Sequence, residues 1–138
     1  MIWIEPKTNW SGEEDEYFNV YPDYHRINNN ILYLKEKIEA LGRTVNLLPM
    51  EVPSDTLTDP TVSFFNNVVY NIDSIKEVIG EPREYGIMRT YVELGAGWNY
   101  KDLNIIEKNL KVLNQKVKSL DAAREKLPFI QLGLDYEL

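Results

Sequence analysis

The chain has 138 residues, 43% apolar and 27% charged, with a formal charge of −7, which points to one folded domain and excludes a disordered one. It holds no cysteine and one histidine, excluding disulfides, thiolate chemistry and multi-histidine metal sites. The acid excess argues against a grip on nucleic acid, and the apolar runs are too short for a membrane span.

In chain order, residues 1–21 read as an acidic arm, in which Glu5, Glu13, Glu14, Asp15 and Glu16 outweigh Lys7. Met1 to Pro6 shows no signal-peptide pattern, and Ile2-Trp3-Ile4 reads as a short strand. A first helix is expected over 22–42, with Pro22 in its first turn, Asp23 at its positive end and Gly42 as its C-terminal cap. Its apolar stripe is Tyr24, Ile27, Ile31, Leu34, Ile38 and Leu41, in steps of three and four. The connection over 43–58 is too apolar to stand free and should lie along the helices or under a partner. A second helix, 59–80, opens on Asp59 and Pro60, runs through Phe65, Val68, Ile72, Ile75 and Ile79, and stops at Gly80. Residues 88–94 alternate apolar and polar as a strand does. Gly95-Ala96-Gly97 then leads into a third helix over 99–127, with Asn99 and Asp102 approximating a capping box. Its stripe is Leu103, Ile106, Leu110, Leu113, Val117 and Leu120, and its basic surplus contrasts with the acidic arm. The tail, 128–138, sets Ile130, Leu132, Leu134 and Tyr136 on one face of an extended segment.

The expected fold is mainly α, a three-helix bundle of heptad-patterned helices in one domain, with short extended or β segments at the N-terminus, at 88–94 and in the tail. The stripes suit near-parallel packing, inside one monomer or within a helical oligomer. The acidic arm and basic third helix can pair within a subunit or between subunits, or stand as two solvated faces. The tail likewise can cover its own bundle or reach another copy.

An internal repeat is the most specific feature. Tyr24, Phe65 and Leu103 superimpose at spacings of 41 and 38 residues, and Asn30, Asn71 and Asn109 then share one slot before an aliphatic residue. The first and third units also share an aspartate (Asp23, Asp102) and an upstream tryptophan (Trp10, Trp98). An asparagine beside the seam can bond a neighbouring helix or loop backbone and fix register, or line a ligand site with its amide.

The stretch from Trp3 to Trp10, then Tyr17-Phe18-Asn19, then Asp23 to Ile31 with Tyr33-Leu34, resembles small minor structural proteins of tailed phages and prophages of Gram-positive bacteria, from the tail or baseplate region. Their pattern reads tryptophan, proline, threonine, aspartate, tryptophan; phenylalanine-asparagine; then aspartate-tyrosine-asparagine-arginine-isoleucine-glutamate and an asparagine before a hydrophobic. Trp98 to Leu110 resembles a second such unit. The first departs at Asn9, His25 and Asn28, the second at Ile105, and together they cover 3–34 and 98–113. The resemblance implies an assembly role in a virion built in the bacterial cytoplasm, with other virion proteins or further copies as partners. It carries no catalytic residues. The alternative is a host-encoded interaction module, a scaffold or small regulator. If the first unit follows the pattern, Arg26 pairs with a carboxylate of the arm, Asp23 or one of Glu13 to Glu16, or else stays solvated.

No catalytic chemistry is legible: there is no GxSxG, no phosphate loop and no dinucleotide pattern around Gly95. The Glu13–Glu16 run lacks the glycine turn and ligand spacing of a calcium loop, and His25 has no metal partners in sequence. The expectation is therefore no enzyme, cofactor, metal, nucleic acid or membrane.

Overall fold

A computed structural model describes residues 1–50, 62–90 and 98–126. It holds three packed helices: α1 over His25–Ala40, α2 over Val62–Ile79 and α3 over Tyr100–Lys126. The stripes read from sequence form the seam. Ile27, Ile31, Leu34 and Ile38 of α1 meet Val68, Ile72 and Ile75 of α2 and Ile106, Leu110 and Leu113 of α3 in one core. On α2 the stripe begins at Phe64 rather than Phe65; Phe64 is buried beside Tyr24, while Phe65 is half-buried under Trp98.

The helices all point the same way. Arg26 and Glu107 join the N-terminal halves of α1 and α3, and the Arg124 guanidinium donates to the Ala40 carbonyl at their C-terminal ends. Tyr24, just before α1, and Phe64 in the first turn of α2 pack with their rings tilted, 3.9 Å between centres. Parallel neighbours need a return crossover, and here a non-helical segment before each helix runs back along the bundle. Residues 1–10 lie on α1 and α3, 42–50 on α2, and 80–90 on α3 and α2.

The reversals are encoded by glycine. Gly42 has φ +84°, its N–H donates to the Glu39 carbonyl, and the next N–H, of Arg43, donates to that of Ile38. This doubled bond closes the helix end, and only glycine takes that backbone conformation without strain. Gly80, at φ +95°, ends α2 in the same region.

Three expectations are corrected. Ile2-Trp3-Ile4 and residues 88–90 form no strand, and none occurs among the described residues. Each segment is held against helix side chains rather than beside another segment, so no ladder forms. The start of the first helix also differs: Val20–Tyr24 is a π-helical turn, in which the Tyr24 N–H reaches the Asn19 carbonyl, and α1 proper begins at His25. At α3 the capping box is complete: the Asp102 N–H donates to the Asn99 side chain at 2.9 Å and the Asn99 N–H to the Asp102 carboxylate at 3.0 Å. The Asp59–Pro60 start, residues 91–97 and the tail with Ile130 and Leu132 lie outside the described residues.

Candidate functional site

The repeated asparagines share one geometry. Asn30, Asn71 and Asn109 are each fully buried, and each holds both polar groups of one residue in an extended segment. The Ile4 N–H donates to Asn30 Oδ1 at 3.0 Å, and Asn30 Nδ2 donates to the Ile4 carbonyl at 2.7 Å. Asn71 does the same to Leu48, at 2.7 and 3.0 Å. Asn109 does it to Gly86, at 2.8 and 2.9 Å. A primary amide offers the donor and acceptor that a neighbouring strand would offer, so each asparagine replaces one rung of a ladder. The middle unit belongs to the repeat on the same terms as the other two. Asn104 is a fourth clamp of this kind, holding the Trp10 N–H and carbonyl at 2.8 Å each.

Removing a clamp leaves a buried N–H and carbonyl without their partner. Asn30→Ala, Asn71→Ala and Asn109→Ala are each expected to lower stability by about 1–3 kcal/mol in urea unfolding. A change within about 0.5 kcal/mol at all three positions would show that water serves the segments equally well.

At the second centre the first segment, α1 and α3 converge on the carboxylate of Glu107, which is fully buried. Arg26 binds it in a fork, Nε to Oε1 at 2.6 Å and Nη2 to Oε2 at 2.7 Å. The Lys7 N–H adds a bond to Oε1 and the Trp10 indole N–H one to Oε2, both at 3.0 Å. Arg26 Nη1 also lies 3.0 Å from Asp23, whose other oxygen accepts the Asn19 N–H at 2.8 Å. Burial alone would lower the Arg26 pKa, but its bonds to Glu107 and Asp23 hold it above the ordinary value.

Of the carboxylates expected for Arg26, Asp23 is a partner, and the main one is Glu107 on the last helix. None of Glu13 to Glu16 takes that place. Glu13, Glu14 and Asp15 are exposed, while Glu16 turns back on its own arm to accept the Ser11 N–H at 2.7 Å and pair with Lys7 at 3.1 Å. Between the acidic arm and α3, Glu5 and Lys111 make an exposed pair at 3.4 Å within the chain. Glu107 falls four residues after Leu103 and three before Leu110, which places it on the buried face. That spacing was the available signal; its partner, 81 residues away, left none.

Tyr24, Ile27, Ile31, Leu34, Leu103, Ile106, Leu110 and Leu113 are all buried. The two tryptophans are not equivalent. Trp10 is clamped and bonded as above, whereas Trp98 packs edge-on against Phe65, with Phe18 half-buried between the two indoles. The two aspartates do correspond more closely, each accepting a backbone N–H at a helix start and each paired to an arginine, Asp23 to Arg26 and Asp102 to Arg89 at 2.6 Å.

Partial burial would raise the Asp102 pKa, but Arg89 and the Asn99 N–H overcome it and hold the carboxyl below its ordinary 3.8. A depressed carboxylate stabilises the fold above its unfolded value and loses that contribution as pH falls through the folded one. Melting curves of the parent and Asp102→Asn should therefore differ at pH 6, and the gap should narrow progressively as pH falls below 3.8. A constant gap down to pH 3 would remove the charge from the account.

Among the described residues, no three His, Asp or Glu side chains cluster as metal ligands, and no helix is long and apolar enough to cross a membrane. The chain matches no family model, no curated protein and no solved structure.

Proposed function

We propose that the chain is a structural or adaptor component of a phage or prophage tail, working through protein–protein contacts and carrying out no chemical step. The observation that carries this reading is where the motif residues fall. Trp10, Asp23, Arg26, Asn30, Asp102 and Asn109, which carry the resemblance to minor tail and baseplate proteins, are all spent on fixing extended segments and helix ends. A motif used to lock a scaffold suits a protein whose product is a shape. Its partners are other virion proteins or further copies, met during assembly in the bacterial cytoplasm and kept in the virion.

Mass spectrometry of particles purified after prophage induction should find the chain at a fixed ratio to the tail proteins. Its absence from particles of a strain that expresses it would overturn the proposal.

A further inference from the structure

Residues 1–10 lie along the groove between α1 and α3 from Asn104 to Asn30, and their first residue, Met1, pairs with Glu36. Toward the C-terminal end of α1, an open cavity of about 350 Å³ lies between Tyr33 and Lys37 on one side and Asn114, Val117, Lys118 and Arg124 on the other. Asn114 is 4% exposed, and among the described residues no group bonds its amide. In this fold, amides facing a segment laid on the bundle hold its backbone, as the buried Asn30, Asn71 and Asn109 and the half-buried Asn104 do. Asn114 has the same chemistry and an empty place in front of it.

We propose that this cavity is a docking site for an extended peptide, held at Asn114 through one residue's N–H and carbonyl, and that the peptide is residues 128–138 of a second copy. Three observations select that occupant. Lys37, Lys118 and Arg124 outweigh Asp121 around the cavity, and residues 128–138 carry Asp135 and Glu137 with no cation. Their alternation of Ile130, Leu132, Leu134 and Tyr136 with small or polar residues suits a groove in which Tyr33, Ala40 and Val117 stand among charged side chains. The stretch from Asn114 to Arg124 is about 15 Å of helix, which about five extended residues span, so the length suffices.

The second copy, rather than the same chain, follows from the helix ends. α1 and α2 stop at glycines with positive φ that reverse the chain into an extended segment. In the repeat Ala40 corresponds to Ser119, yet α3 runs on to Lys126, and no glycine follows until Gly133. The reversal used twice before is not encoded a third time. This site goes beyond the tail assignment and stands on the chain's own geometry, so it can fail or hold independently of it.

The test uses the full chain in sedimentation equilibrium, with a synthetic peptide of residues 128–138 as competitor. The expected result is reversible self-association that the peptide dissolves and a scrambled peptide leaves intact. It should weaken about tenfold in Asn114→Leu, which has the same branching without an amide, and in Lys118→Glu, and should weaken further as salt rises past about 0.15 M. Unchanged melting temperatures for both variants keep the readout separate from folding. A monomer at every concentration overturns the proposal, whether water or the chain's own segment fills the groove. Self-association indifferent to both variants and to the peptide overturns it as well.

Discussion

Replacing Glu107 with glutamine is expected to cost about 3–5 kcal/mol of folding stability, the largest effect of any single polar change in this chain. The carboxylate takes four hydrogen bonds, two of them from Arg26, in a place closed to water. Glutamine keeps the volume but offers one acceptor oxygen where two are used, and turns an N–H₂ toward other donors. Arg26 then keeps its charge, with Asp23 as its remaining anion. Arg26→Met should be comparably harmful, because it strands the Glu107 carboxylate. The double variant Glu107→Leu with Arg26→Met should recover much of the loss, since removing a buried pair together avoids the uncompensated charge. Recovery should stop short of the parent, because the Lys7 N–H and Trp10 indole N–H lose their acceptor, at about 1–3 kcal/mol each. Chemical denaturation at pH 7 of the parent, Arg26→Met, Glu107→Leu and the double variant measures all four corners of the cycle. A single Glu107→Gln loss under about 1 kcal/mol would show that the carboxylate is not the joint between α1 and α3.

Leu110→Ala should lower stability by about 2–5 kcal/mol, and Ile31→Ala by a similar amount, since both side chains are fully buried in the shared seam. The spread reflects how far the neighbours relax into the space. The internal controls are Ile2→Ala and Ile87→Ala, at residues 82% and 93% exposed, which should change stability by about 0.5 kcal/mol at most. Equal losses at exposed and seam positions would contradict the face on which the three helices meet.

The three helices were legible because a stripe in steps of three and four has one structural meaning, and because Gly42, Gly80 and the Asn99–Asp102 pair mark ends by local chemistry. Residues 2–4, a short apolar run, and 88–90, part of an alternating one, misled for a related reason. Neither pattern says whether a strand or an asparagine serves the N–H and carbonyl groups. The repeat of Asn30, Asn71 and Asn109 showed that a common job existed. It could not reveal Ile4, Leu48 and Gly86 as the residues held, because a backbone target leaves no mark in the sequence. The Arg26–Glu107 fork was hidden in the same way. The first unit carries the arginine and the third carries the acid, and their meeting depends on the parallel arrangement of helices that no single stripe encodes.

The join between the first segment and the last helix also sets an order of events during synthesis. Lys7 and Glu107 are 100 residues apart, and Trp10 and Asn104 are 94 apart. Residues 1–10 emerge from the ribosome well before α3, which supplies several of their contacts. Asn30 can take Ile4 as soon as α1 forms, a closure over 26 residues. The nascent chain therefore holds its N-terminal segment by one side only until residue 107 has been released, and Arg26 waits for its counter-ion over the same interval. Closing so long a loop is entropically slow, so the locking of this joint is expected to be the late, rate-limiting event in folding.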